Sequence, residues 1–258
     1  MPLVMRFLLQ GEGPTNPHQH NAGLRAMVLG WIAAVQPGLA ETFHEAGKPK
    51  PYTIGPLAQA NRDSSCFDLS ILTDWLAPIV LDGAARCNPA VRLGPQRFEL
   101  STEPAIVSRC EWSELMEHPA ARPWAIELVT PTAHHATGKP RRAIVAPDPT
   151  LYFGSWLGRW KSCSTLPMPE PVDLSIRDAL VLSAFRGGTG AVRLDGVRTF
   201  IGFVGEATFD MAPGLEADPE TEACLGALAS LANFSGTGVE TMRGMGQTRL
   251  QPPRGRGR

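Results

Sequence analysis

What most constrains this chain is the order of its helical and strand periodicities, because the same series runs through it twice. Leu3 to Leu9 is an aliphatic run closed by Gly11 and Pro14, which suits a strand at the middle of a sheet. From Ala22 to Val35, apolar Leu24, Met27, Val28, Trp31, Ile32 and Val35 recur at three- and four-residue steps, which predicts a helix with one buried face. Pro37 and Gly38 end it. Leu39 to Glu45 can add one or two turns before Gly47, Pro49 and Pro51 forbid continuation. Strands are expected at Tyr52–Leu57 and Cys66–Leu72, a helix from Asp74 to Cys87, and strands at Arg97–Leu100 and Ala105–Cys110. The second series has a strand at Trp124–Thr130 and, after Pro149, a helix with Phe153, Trp156, Leu157 and Trp160 on one face. It continues with strands at Ala179–Phe185 and Arg198–Phe209, a helix capped by Asp218 and running to Asn233, and a last strand at Gln247–Leu250. Strand, helix, strands, helix, strand is a ferredoxin-like order. The expectation is therefore an α+β chain of tandem ferredoxin-like (RRM-like) domains, βαββαβ repeated, over residues 1–118 and 124–250. The boundary falls at His118–Pro123, and the basic tail 251–258 is expected to be disordered.

Composition narrows the function. The 24 Lys and Arg against 25 Asp and Glu leave a net charge of -1, so no global positive field draws the protein to nucleic acid. Phosphate binding must come from local clusters, at Lys48/Lys50, Lys139/Arg141/Arg142, Arg159/Lys161 and Arg243/Arg249. The aromatic helix face after Pro149 is explained by core packing rather than by base stacking. Cys66, Cys87, Cys110, Cys163 and Cys224 are odd in number and form no C-x-x-C pair, so they are expected to be reduced in a cytoplasmic protein. No Cys/His set has metal-ligand spacing, and no cofactor is expected. Gly23 to Val35, interrupted by Arg25, is too short to cross a bilayer, and Met1 to Leu9 lacks the pattern of a signal peptide.

The sharpest local feature follows the last expected helix. Gly236-Thr-Gly238 and Gly244-Met-Gly246 form a doubled Gly-x-Gly with five residues between the pairs, Arg243 among them. Glycine permits positive φ and close backbone approach, so successive N–H groups there can converge on a phosphate. The bland alternative is a pair of tight turns joining helix to strand.

This segment resembles the glycine-rich loop of the CRISPR repeat-processing endoribonucleases of the RAMP superfamily. Further segments resemble the same family in order: Gln36 to Thr53, where a helix ends in His44-Glu45 before Lys48-Pro-Lys50-Pro-Tyr52-Thr53; Val129-Thr-Pro131-Thr132; and Phe200-Ile-Gly-Phe203-Val-Gly205. The resemblance implies a sequence-specific endoribonuclease that cleaves CRISPR repeat RNA to release guide RNAs. Its reaction would be metal-independent: the substrate's 2′-hydroxyl attacks the neighbouring phosphorus, leaving a 2′,3′-cyclic phosphate and a 5′-hydroxyl. Such chemistry needs proton transfer to and from the two oxygens and neutralisation of the phosphorane, which histidine near neutral pH can serve. By the resemblance His44 and Lys50 are catalytic. The residues expected to bind RNA are Lys48, Lys139, Arg141, Arg142, Arg243 and the glycines 236, 238, 244 and 246. Gly47 and Pro49 break the helix between His44 and Lys50, so the chain can bring the ammonium back towards the imidazole.

Some family members carry a tyrosine on the preceding helix, where this chain has Val28, Leu29, Gly30 and Trp31. That departure keeps open a catalytically inactive, repeat-binding subunit of an effector complex. A tandem RRM-type binder of single-stranded RNA is a further reading, from the loose RNP1-like Arg198-Thr-Phe-Ile-Gly-Phe-Val. His18 and His20 are the runner-up catalytic pair, while His134 and His135 read as RNA-contact or surface residues. The partners implied are repeat RNA and no membrane, with association with other effector subunits and homodimerisation left open.

Overall fold

The protein is described from a computed structural model, which covers residues 1–11, 16, 18–45, 49–136, 142–194, 198–215 and 217–252. The chain divides into two compact units. The first comprises residues 1–109 with the short stretches 193–199 and 242–244, and the second comprises the remainder.

In the first unit the elements run β1 (Leu3–Gln10), α1 (Asn21–Val35), α2 (Pro37–His44), β2 (Tyr52–Ile54), β3 (Ala58–Asn61), β4 (Ser64–Ile71), α3 (Leu76–Arg86), β5 (Ala90–Leu93), β6 (Gln96–Leu100) and β7 (Ala105–Arg109). The sheet path is β2-β4-β1-β6-β5, with β3 on β4 and β7 on β1, and the pairs are antiparallel. β1 lies between β4 and the later strands, as its unbroken aliphatic run requires. Alternate residues Met5, Phe7 and Leu9 enter the core with Phe67, Leu69 and Ile71 of β4. Phe7 is the centre, with its ring 5.0 Å from Trp31 and 5.4 Å from Phe67. Each such fully buried side chain contributes about 1.5–3 kcal/mol. Leu24, Val28, Trp31 and Ile32, the expected helix face, are all buried. Pro37 does more than end α1: it occupies the first turn of α2, where a missing N–H costs nothing.

The second unit contains α4 (Trp112–Glu117), β8 (Trp124–Thr132), β9 (His134–His135), β10 (Ala143–Ile144), α5 (Pro149–Cys163), α6 (Glu170–Asp178), β11 (Leu180–Leu194), β12 (Arg198–Met211), α7 (Pro219–Ser235), a 3-10 turn at Thr241–Arg243 and β13 (Thr248–Leu250). Two of its stretches, the end of β11 with the start of β12 and the 3-10 turn's last residues, cluster with the first unit. Its main sheet has the order β11-β12-β8-β13, so the first strand again sits between the third and the fourth. That order, with helices in the connections that leave the inner strands β1 and β4 of the first unit and β8 and β12 of the second, makes both units ferredoxin-like. Phe153, Trp156 and Trp160 of α5 are wholly buried, and Phe153 packs against Trp124 and Phe209. Those aromatics are core. The linker read at His118–Pro123 follows α4, which packs on α7 and buries Leu115 and Trp112, the latter with its ring 4.9 Å from Trp160 of α5.

β11 is far longer than its expected span at Ala179–Phe185, because Gly187, Gly188 and Gly190 do not end it. Gly187 and Gly205 lie against each other's strands so closely that a Cβ on either would overlap backbone oxygen. The tail from 253 onward lies outside the described residues.

Candidate nucleic-acid interface

His44 is the last residue of α2 and is exposed. The turn that carries it is fixed from below. Phe43 is buried with its ring 5.4 Å from Tyr52, and Lys50, only 8% exposed, donates from Nζ to the Thr42 carbonyl at 2.9 Å. Lys50 is therefore no solvated surface charge. Its ammonium lies at the last turn of α2, where it satisfies a carbonyl and meets the negative end of the helix dipole. His44 also borders an open depression of about 470 Å³ between α1 and α2, whose floor includes Gly30 and Ala33. A Cβ on Gly30 would meet nothing within 4 Å, so the absent tyrosine leaves clear space there. The chain's two tyrosines, Tyr52 and Tyr152, have buried hydroxyls and lie on other elements.

The alternative pair is poorly placed for proton transfer. His20 is 1% exposed, with Nε2 2.6 Å from Gln96 Oε1 and its ring edge-on to Phe98. It is a core histidine. His18 is half-buried, and that burial lowers its pKa. Asn21 Nδ2 sits 3.3 Å from His18 Nδ1 and donates to the Arg243 carbonyl at 2.6 Å. His135 is exposed, but His134 is buried, contrary to a surface role for both.

The glycine loop is real as a backbone feature, and its geometry alters the reading made from its sequence. Glycines 236, 238, 244 and 246 all have φ between 62° and 79°, the left-handed region that disfavours side chains. A Cβ on Gly238 would overlap the Ala133 carbonyl and one on Gly246 the Thr237 carbonyl, whereas Gly244 would meet only the Asn21 side chain. The loop's N–H groups are largely spent within the chain. Thr237 N donates to Gly246 O at 2.8 Å, Val239 N to Ala133 O at 3.0 Å, Gly246 N to Pro131 O at 3.0 Å, and Gly238 N to Ser155 Oγ at 3.2 Å. Met245 N and Gln247 N are also engaged. A phosphate cradle built from residues 237–239 and 245–247 is thus excluded without rearrangement. The demand for glycine there comes from the loop packing on β8 and on itself. Buried Arg159 supports the crest by donating to Thr241 Oγ1 at 2.8 Å, and Trp156 Nε1 holds Thr237 Oγ1 at 2.9 Å. Sequence periodicity could flag Trp156 and Arg159 as helix residues but not as the loop's anchors.

Arg142 is exposed, its carbonyl accepting from Ala136 N, and Arg243 is partly exposed on the 3-10 turn. Lys48, Lys139 and Arg141 lie outside the described residues. Among the described residues no group of three His, Cys, Asp or Glu could hold a metal ion, and no helix is long and apolar enough to cross a membrane. The five cysteines are free thiols, of which Cys224 alone is fully buried.

Comparison with known proteins gives this geometry a family context. Residues 126–248 match the model of the family described as CRISPR-associated endoribonuclease Cas6. The curated Cas6 endoribonuclease of Mycobacterium tuberculosis, in two strains, is 30% identical over 135 residues; that stretch spans 52% of this chain and 40% of the relative's length. Among solved structures, a Cas6 product complex has a TM-score of 0.82 at 27% identity, over 97% of this chain and 100% of the other. Thermus thermophilus Cas6 has 0.72 at 26%, over 97% and 98%. A RAMP protein described as binding different RNA substrates shares the fold at a TM-score of 0.62 and 12% identity, over 97% of this chain and 99% of the other.

Proposed function

We propose, on the premise that residues 126–248 belong to the Cas6 endoribonuclease family and that the chain shares its fold with solved Cas6 proteins, that this protein is an endoribonuclease cleaving CRISPR repeat RNA. The observation that carries the assignment of the site is His44. It is an exposed imidazole at the end of α2, on a turn held by buried Phe43 and by the Lys50 ammonium.

In the proposed reaction the 2′-oxygen attacks the adjacent phosphorus and the bond from phosphorus to the 5′-oxygen breaks. One proton leaves the 2′-hydroxyl and one reaches the departing 5′-oxygen, so the products are a 2′,3′-cyclic phosphate and a 5′-hydroxyl, with no metal ion and no protein nucleophile required. His44 serves one of these proton transfers. Lys50 acts through its bond to Thr42, as a positioning residue that fixes the helix end, and its positive charge favours the anionic phosphorane nearby. Arg142, Arg243 and the outside-lying Lys48, Lys139 and Arg141 supply phosphate contacts that the overall charge of the chain does not.

One observation favours a second reading, a repeat-binding subunit without activity: no tyrosine accompanies His44, and Gly30 leaves open space on the helix beside it. Replacing the single 2′-hydroxyl upstream of the scissile phosphate with hydrogen separates the two. Cutting of the unmodified repeat, abolished by that change while the complex stays tight, is the expected result. Tight binding with no cutting of either RNA favours the subunit, and cutting of the deoxy-substituted repeat overturns the proposed nucleophile.

A further inference from the structure

The second unit contains an open depression of about 380 Å³ lined by β9, the first two turns of α5 and Gly238–Val239 of the glycine loop. We infer that this depression receives one unstacked nucleobase of single-stranded RNA, with His134 reading its hydrogen-bonding edge. The inference rests on the proposed RNA-binding function and adds to it a nucleotide-specific contact.

Three features of the lining select a neutral, planar occupant with polar atoms at its edge. His134 is 7% exposed, and its Nε2 has no hydrogen-bond partner among the described residues. A buried polar atom left unpaired is costly, and a ligand edge at hydrogen-bond distance removes that cost. The ring is held in place by Tyr152, with centroids 5.2 Å apart, so it is already oriented. Ser155 Oγ accepts from Gly238 N at 3.2 Å and keeps its own proton to donate. Leu151 and Val239 supply apolar wall.

The same lining argues against a phosphate. Among the described residues it contains no lysine or arginine. Burial pushes the His134 pKa down to about 4, so the ring carries no charge at neutral pH. The N-terminus of α5 is not free for an anion either, because Asp148 accepts from Thr150 N at 2.8 Å and from Leu151 N at 3.3 Å. A base with its apolar faces and polar edge fits where a charged group does not.

Gly154 provides a test that spares the fold. It is an exposed helical residue on the cavity wall, and a Cβ there would meet nothing within 4 Å. Gly154→Phe should therefore fold as well as the wild type and fill the cavity with its ring. The experiment measures affinity of the full chain for the repeat RNA and for a set of repeats, each with one abasic substitution, using wild type, Gly154→Phe and His134→Phe. The expected result is about tenfold weaker binding by both variants at a melting temperature no lower than that of the wild type. One abasic position should cost the wild type about tenfold and cost the variants nothing further. Variants that melt and bind as wild type does, or abasic penalties that are the same in all three proteins at every position, overturn the pocket assignment alone. If the wild type binds no repeat RNA, the function proposed above falls and this inference with it.

Discussion

Gly246 tests the claim that the loop's glycines are demanded by self-packing. In Gly246→Ala the new Cβ would sit at φ 65°, a conformation costing an L-residue about 1–2 kcal/mol. It would also overlap the Thr237 carbonyl, so one strand of the loop must move. Thr237 has little freedom to do so: it is wholly buried, its N–H donates to Gly246 O, and its hydroxyl is held by Trp156 Nε1 and lies 2.7 Å from Thr248 Oγ1. Losing one or two of these bonds adds about 1 kcal/mol each. The expected destabilisation is about 2–4 kcal/mol. For a chain of this size that lowers the melting temperature by about 10 °C, read by circular dichroism or calorimetry. Gly244→Ala carries the same φ strain but should cost less, since its Cβ meets the Asn21 side chain and no backbone atom. A Gly246→Ala protein that melts within 2 °C of wild type (about 1 kcal/mol or less) would refute the self-packing argument.

Three other outcomes are expected. Lys50→Met keeps the stem but loses the bond to Thr42, which should destabilise the first unit by about 2 kcal/mol in a urea titration. Its single-turnover cleavage should fall less than that of a His44 variant, and an equal loss would make Lys50 a direct participant. The depressed pKa of His134 makes the unfolded chain bind more protons between about pH 4 and its ordinary value of 6.5. The stability contributed by the neutral ring is thus fully present above that window and lost as pH falls through it, by about 3 kcal/mol. His134→Phe should flatten the pH dependence of melting in that range, and an unchanged slope would mean the ring is not buried in solution. Removing the Asp218 carboxylate in Asp218→Ala should lower the melting temperature at pH 7, because Asp218 accepts from Thr221 N at 3.0 Å at the start of α7, and the difference from wild type should vanish in acid, where that carboxylate, with its pKa held below the usual value, is protonated. A difference that persists at pH 2 would assign the effect to packing.

Most of the fold was legible because its long elements obey one periodicity each. The helical faces Leu24/Val28/Trp31/Ile32 and Phe153/Trp156/Leu157/Trp160 are buried, and Asp218-Pro219 marks the start of α7. The short elements were not legible. β5 at Ala90–Leu93 exists through its pairing with β6, and α4 through a capping box of Glu111 and Glu114 without a long apolar stripe. β11 hid behind three glycines that break isolated strands, of which Gly187 lets the backbone of β12 approach closely. Of the site, His44 at a helix end was visible from the Gly47/Pro49 break. The contact that Lys50 makes was not, since a hydrogen bond to the Thr42 carbonyl has no sequence signature. For the glycine loop, spacing shows that backbone approaches something closely, but not that its neighbours include the Ala133 and Thr237 carbonyls.

Single-turnover cleavage of the cognate repeat RNA in the presence of chelator, by wild type and by His44→Ala, tests the central claim most directly. The exposed position of His44 means its loss should leave melting temperature and repeat affinity nearly unchanged. The account predicts that wild type cuts at one position, leaving 2′,3′-cyclic phosphate and 5′-hydroxyl ends, and that His44→Ala is slower by about 10²- to 10⁴-fold. Full activity in His44→Ala, a strict requirement for a divalent ion, or 5′-phosphate ends would contradict it.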